Sequence, residues 1–183
     1  MSRILIVLLP LLASRLEAQA PPVDRLGPGQ AMPFHVVDFV GGARSSGAGC
    51  PSVMINNERS RGVEIWTRSN TRAAFQWAAA VEEKLGAEAK LLAFLVVCDG
   101  STKANLPVPD EVKRFVVGVP RNSPRRRFAT ADAEGSHALI VFLMDGKTIK
   151  SRLRFQPDEL TPETRTKTVQ QVIQFLDGPA PGE

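Results

Sequence analysis

Apolar and polar positions follow two different periods along this chain, and the change from one period to the other marks its elements. Residues 91–97 (LLAFLVV) and 138–144 (ALIVFLM) are unbroken apolar runs, as expected of strands covered on both faces. Residues 63–66 (VEIW) and 115–119 (FVVGV) are shorter and rich in β-branched and aromatic residues, which suits interior strands. Residues 34–40 (FHVVDFV) read as a first strand, ended by Gly41 and Gly42. Asp145-Gly146 is a two-residue hairpin signal. Beyond it Ile149, Leu153 and Phe155 alternate with Lys150, Arg152 and Arg154, the pattern of an edge strand with one wet face.

The helical period takes over between these strands. Ala74, Trp77, Ala78, Val81 and Leu85 fall on one helical face, with Arg72, Gln76 and Glu83 opposite. Ser69 or Asn70 supplies a cap at the start of that helix, and Gly86 stops it. Strand, helix and strand with a short return make a right-handed βαβ unit. A closing helix is capped by Thr161 with Pro162 at its first position; Val169, Val172, Ile173 and Leu176 form its buried stripe, and Gly178 ends it. Val53-Met54-Ile55 is a short apolar run that pairs back on the first strand as a hairpin. Pro107 and Pro109 keep residues 99–110 from forming a long helix. Residues 120–135 read as a loop with a helical turn starting after Ser123-Pro124. The order predicts an α/β three-layer sandwich, a mixed β-sheet with an N-terminal β-hairpin extension.

Composition narrows the setting. The chain of 183 residues is long enough for one domain with a proper core. Residues 1–20 read as a signal peptide: Arg3 precedes a short apolar run at residues 4–13, and Ala18-Gln19-Ala20 is a small-x-small cleavage site. That run is too short to span a bilayer, so the expectation is export with no stable membrane span after cleavage. Residues 21–30 (PPVDRLGPGQ) read as a flexible linker, residues 31–178 as the folded domain, and residues 179–183 as a disordered tail. A formal charge of +4 is too small and too scattered for a nucleic-acid footprint. Arg121 and the run Arg125-Arg126-Arg127 lack accompanying aromatic residues and read as a solvated loop. No Gly-rich phosphate loop or other cofactor signature is present.

Chemistry-bearing residues are few. Cys50 and Cys98 permit one disulfide in an oxidising compartment, or two separate thiols; a bridge needs Cα atoms within about 7 Å, which spacing alone does not establish. His35 and His137 are the only histidines, and no CxxC or HxxxH spacing makes a zinc site with them. Ser136 and His137 are adjacent and, with Asp132, do not supply triad geometry on their own.

The order of elements resembles the thioredoxin-like superfamily, in its redoxin or peroxiredoxin-like branch. Residues 29–42 (GQAMPFHVVDFVGG) are similar to the opening segment of redoxins. Residues 63–85 resemble the strand and helix that carry the catalytic motif, residues 138–155 the antiparallel pair, and residues 161–176 the closing helix. The resemblance implies a reactive cysteine at the helix start, where free N–H groups lower a thiol pKa. The two positions of a Cys-x-x-Cys motif fall near Asn70 and Ala73, and Thr67-Arg68-Ser69-Asn70 has asparagine where a peroxidatic cysteine would stand. The place of the family's cis-proline is taken by Ser136-His137-Ala138. The departures imply an exported domain that is redox-inactive at the usual site and binds a protein or small ligand through Thr67, Arg68, Asn70 and His137. The alternative is a divergent thiol-disulfide oxidoreductase or peroxidase using Cys50, with Cys98 as its partner. The position of Cys50 relative to the helix start separates the two.

Overall fold

A computed structural model describes residues 26–58, 60–68, 71–86, 91–99, 101–121 and 138–178. The signal-peptide reading, Asn70, His137, the arginine run at 125–127, the turn after Pro124 and the C-terminal tail lie outside the described residues.

Among the described residues, seven strands form one sheet in the order β2-β1-β5-β4-β3-β6-β7. They are β1 (Val37–Gly42), β2 (Ala48–Gly49), β3 (Arg61–Thr67), β4 (Ala93–Val97), β5 (Val116–Pro120), β6 (Leu139–Asp145) and β7 (Thr148–Phe155). The three apolar runs β3, β4 and β5 are parallel to one another at the centre, and β1, β6 and β7 add antiparallel pairs on the flanks. Strands covered on both faces belong in the middle, because each face needs apolar side chains there. The fold is α/β, as the apolar pattern predicts.

Alternation within each central strand divides the core in two. Val63 and Ile65 of β3 face helices α2 (Thr71–Leu85) and α3 (Pro162–Asp177), against Trp77, Ala78, Val81 and Val172. Trp66 points the other way, onto a second cluster with Met32, Phe39, Ile55, Phe94 and Phe142. That far face is closed by α1 (Pro51–Asn57) and by the chain that enters β1. Thr161 caps α3 as predicted, its hydroxyl accepting from Thr164 N at 3.2 Å. Gly146 completes the β6–β7 turn at φ 55°.

Three expectations need correction. Val53-Met54-Ile55 is not a strand: Pro51 opens α1 at that point, and Ile55 is buried under the sheet. A proline at the first helical position costs no hydrogen bond, since that N–H has no partner in a helix anyway. The N-terminal hairpin is formed instead by β1 and Ala48–Gly49, in the segment read as a loop from its glycines and serines. The described part of the supposed linker, residues 26–30, is pinned. Gly29 N donates to Ile149 O at 2.8 Å and Ile149 N to Gln30 O at 2.9 Å. Leu26 is 2% exposed, and Arg152 donates to its carbonyl. The segment covers part of the free edge of β7, which would otherwise leave unpaired backbone groups in solvent.

Candidate functional site

The carboxyl ends of β3 and β4 lie side by side, the place where open α/β sheets collect ligands. Here the chain ends are tied together. Cys98 N donates to Thr67 O at 2.7 Å, Arg68 N to Ala138 O at 3.3 Å, and the buried hydroxyl of Thr67 to Ala138 O at 3.2 Å. Thr67 therefore serves as a clamp between β3 and the start of β6, and Arg68 is half-buried directly after it. Of the four residues expected to bind a ligand, Thr67 ends β3 and Arg68 follows it, while Asn70 and His137 are outside the described residues.

Thr71 opens the first described turn of α2, and its hydroxyl donates to Asp99 Oδ2 at 2.5 Å. Ser101 N donates to Asp99 Oδ1 at 2.9 Å. Burial pushes the Asp99 carboxyl up, but these bonds from Ser101 and Thr71 outweigh it and hold the group below the usual carboxylate range. Asp99 is thus a fixed negative charge at the mouth of the sheet. From it a groove of about 670 Å³ runs between α2 and residues 106–112, floored by Phe75, Ala79, Leu106, Val108 and Val112. Such a volume is that of a small-molecule site. Glu82, buried on the last turns of α2, anchors the far wall of the groove: its carboxylate accepts from Lys113 N at 3.0 Å, and from Arg114 N and Phe115 N at 2.8 Å each. The groove was not legible in the sequence, because residues 106–112 are marked only as a proline-broken loop and their packing against α2 is tertiary.

The thiols lie elsewhere. Cys98 ends β4 with its side chain packed against the cluster on the far face, away from α2. Burial pushes its thiol up to about 12; Arg68 lowers it, while Asp99 and Glu64 raise it. A thiol in that range is protonated near neutral pH and is a poor nucleophile. Cys50 is buried at the start of α1, and both cysteines are free. Cys50 also belongs to the far face, through its neighbours. Its sulfur meets His35 N at 3.5 Å and Ser52 Oγ at 3.3 Å.

His35 leads to a buried polar group that the sequence did not disclose. Glu64 of β3 is fully buried, and its Oε1 lies 2.6 Å from His35 Nε2 and accepts from Trp66 Nε1 at 2.9 Å. His35 Nδ1 lies 2.9 Å from Pro33 O, and the imidazole is tilted against the Trp66 indole at 5.1 Å. Burial lowers the imidazole pKa, but the Glu64 charge and hydrogen bond outweigh it and raise it to about 9. The histidine is therefore an imidazolium at neutral pH, and the pair is a buried ion pair. Both ring nitrogens are engaged with Glu64 and Pro33, so neither serves Cys50 as a general base, and His35 and Cys50 form no catalytic pair. The available signal was the lone carboxylate inside the apolar run VEIW; its partner is distant in sequence.

Among the described residues, no group of three or more His, Cys, Asp or Glu side chains is placed to hold a metal ion. No described helix is long and apolar enough to cross a membrane. No protein-family model matches the chain, and a search of curated proteins returns no match. Solved structures do match. One is a putative thiol:disulfide interchange protein DsbE from Chlorobium tepidum, at 14% identity and TM-score 0.50, covering 78% of this chain and 96% of that one. Another is yeast Sco1 with copper bound, at 12% identity and TM-score 0.51, covering 85% of this chain and 98% of that one. At these identities the likeness is one of fold. The fold is thioredoxin-like.

Proposed function

We propose that this is an exported thioredoxin-like domain that binds a ligand at the carboxyl edge of β3 and β4 and performs no thiol chemistry at the helix start. One observation carries this reading. The helix that in redoxins presents a reactive cysteine here has Thr71 of its first described turn and Asp99 lining a groove, while both thiols face the opposite side of the sheet. A ligand is met there by a fixed carboxylate, hydroxyl groups and an apolar floor, the composition of a binding site. The signal-like residues 1–20 support export. Asn70, in the sequence position of a peroxidatic cysteine, forms no thiolate.

The competing reading is a thiol-disulfide oxidoreductase or peroxidase built on Cys50. It is favoured by the His35 N–H and the Ser52 hydroxyl, both within hydrogen-bonding reach of that sulfur. Insulin reduction and peroxide consumption by the purified mature protein, with and without Cys50→Ser, decide between them. The binding reading expects no turnover above the protein-free control in either assay. Turnover abolished by Cys50→Ser overturns it.

A further inference from the structure

The face of the sheet away from the groove is crossed by the chain that enters β1, and that crossing is anchored at both ends. Upstream, Gly29 N donates to Ile149 O at 2.8 Å, Ile149 N to Gln30 O at 2.9 Å, and Met32 N to Lys147 O at 2.8 Å. Downstream, the Val36 carbonyl accepts from Arg121 N at 2.9 Å, and β1 follows at once. Pro33, Phe34 and His35 bridge the two anchors.

This bridge has few ties of its own. Pro33 has no N–H, and its carbonyl lies 2.9 Å from His35 Nδ1, a contact inside the bridge. Among the described residues no hydrogen bond joins Phe34 to the rest of the chain, and its side chain is exposed. His35 fastens the bridge to the sheet: Nε2 meets Glu64 Oε1 at 2.6 Å, and the ring leans on Trp66. The backbone N–H of the same residue sits on the Cys50 sulfur at 3.5 Å, and that thiol is 5% exposed. One side chain therefore holds down the segment that lies against Cys50.

The hold depends on charge. Glu64 is fully buried, and its Oε2 has no hydrogen-bond partner among the described residues. The groups acting on His35 are Glu64 from β3 and Cys50 at the head of α1. Glu64 also acts on Cys98 at the end of β4, as Arg68 and Asp99 do, and burial keeps that thiol protonated up to about 12. Once the imidazole loses its proton, the closed bridge leaves a buried carboxylate without its counter-charge. Admitting water relieves that cost.

We propose that residues 33–35 are a pH-released gate over Cys50, latched by the His35–Glu64 pair: loss of the imidazolium proton lets the bridge lift while its anchors and the sheet stay folded. The gate is independent of the groove and its ligand. Local opening draws on stretches with few hydrogen bonds and an exposed side, and the bridge has both. The closed state is favoured fully below the free imidazole value of 6.5 and loses that advantage as pH rises through about 9. Opening should therefore increase on the order of a hundredfold between pH 6 and pH 9.

Iodoacetamide alkylation of the mature protein tests this, the thiolate sulfur displacing iodide and peptide mass spectrometry reading Cys50. The rate in denaturant divided by the rate in the folded protein at the same pH gives a protection factor, from which the thiol's own ionisation cancels. Urea unfolding at that pH gives the factor that global unfolding alone would produce. The expected result is a Cys50 protection at least about tenfold below the global factor at pH 9, with a shallow dependence on low urea. It should fall about a hundredfold from pH 6 to pH 9. A His35→Gln, Glu64→Gln double variant is expected to show no such fall. Protection equal to the global factor, with the full urea slope, overturns the gate, because Cys50 is then uncovered only by unfolding. Local opening that ignores pH overturns the latch and the proposal with it. Both results are read on the unaltered protein, so the test holds even where the double variant fails to fold.

Discussion

The buried pair of His35 and Glu64 predicts a pH dependence of stability that no surface residue would produce. The imidazole pKa is raised from 6.5 to about 9 in the folded protein. A histidine whose folded value exceeds its unfolded value contributes stability that is complete below the unfolded value and is lost as pH rises through the folded one. The window here runs from about pH 6.5 to about pH 9. Each pKa unit corresponds to about 1.4 kcal/mol, so the contribution is on the order of 3 kcal/mol. Folded Cys98 titrates only at about 12, so its own effect begins above the unfolded thiol value of 9.0 and leaves the window to the histidine. Urea unfolding at pH 6, 7, 8 and 9 measures the loss, with the slope against denaturant checked for constancy. Comparison with a His35→Gln, Glu64→Gln double variant subtracts all other titrations. The double variant keeps a neutral hydrogen-bonded pair and is expected to be flat across the window. Glu64→Gln alone removes the counter-ion, so burial then favours the neutral imidazole, and the lost pair costs about 3 kcal/mol at pH 6. A wild-type protein as stable at pH 9 as at pH 6, relative to the double variant, would refute the buried ion pair.

Other consequences follow from single contacts. Glu82→Ala removes the acceptor for three backbone N–H groups, of which that of Phe115 is buried; a loss of about 3 kcal/mol in urea unfolding is expected. Cys98, raised to about 12 by burial, should react with a thiol reagent at pH 8 far more slowly in the folded protein than in denaturant, as stopped-flow titration of a Cys50→Ser protein reads directly. Gly42 has φ 68°, and a Cβ there would lie 1.9 Å from Phe115 O, so Gly42→Ala should cost at least about 2 kcal/mol by thermal unfolding.

Much of the fold was legible because its signals are local. The apolar runs became β4 and β6, Asp145-Gly146 became the turn, and Thr161-Pro162 became a helix start. The misread elements are those decided by distant partners. Ala48–Gly49 pairs with β1 although its composition is that of a loop. Leu26 lies in a proline- and glycine-rich segment, yet Arg152 and Ile149 hold that segment in place. Val53 to Ile55 has too few residues for periodicity to tell strand from helix, and Pro51 was the better guide. The end of β3 at Thr67 was legible through the family pattern. Asp99 and the groove were not, since the carboxylate gains its role from Thr71 across the sheet edge and the groove from packing between α2 and residues 106–112. The Glu64–His35 pair shows the same limit: Glu64 stands out as a lone carboxylate in an apolar run, but its partner is distant in sequence and the chemistry arises only where the N-terminal chain meets β3.

The most direct test of the account is the location of ligand binding on the folded mature protein. Amide shifts recorded against a fragment library are predicted to cluster at Thr67, Arg68, Thr71, Phe75, Asp99 and Ser101. Fragments that cluster instead around Cys50 and His35, with no response at the carboxyl edge of β3 and β4, would contradict it.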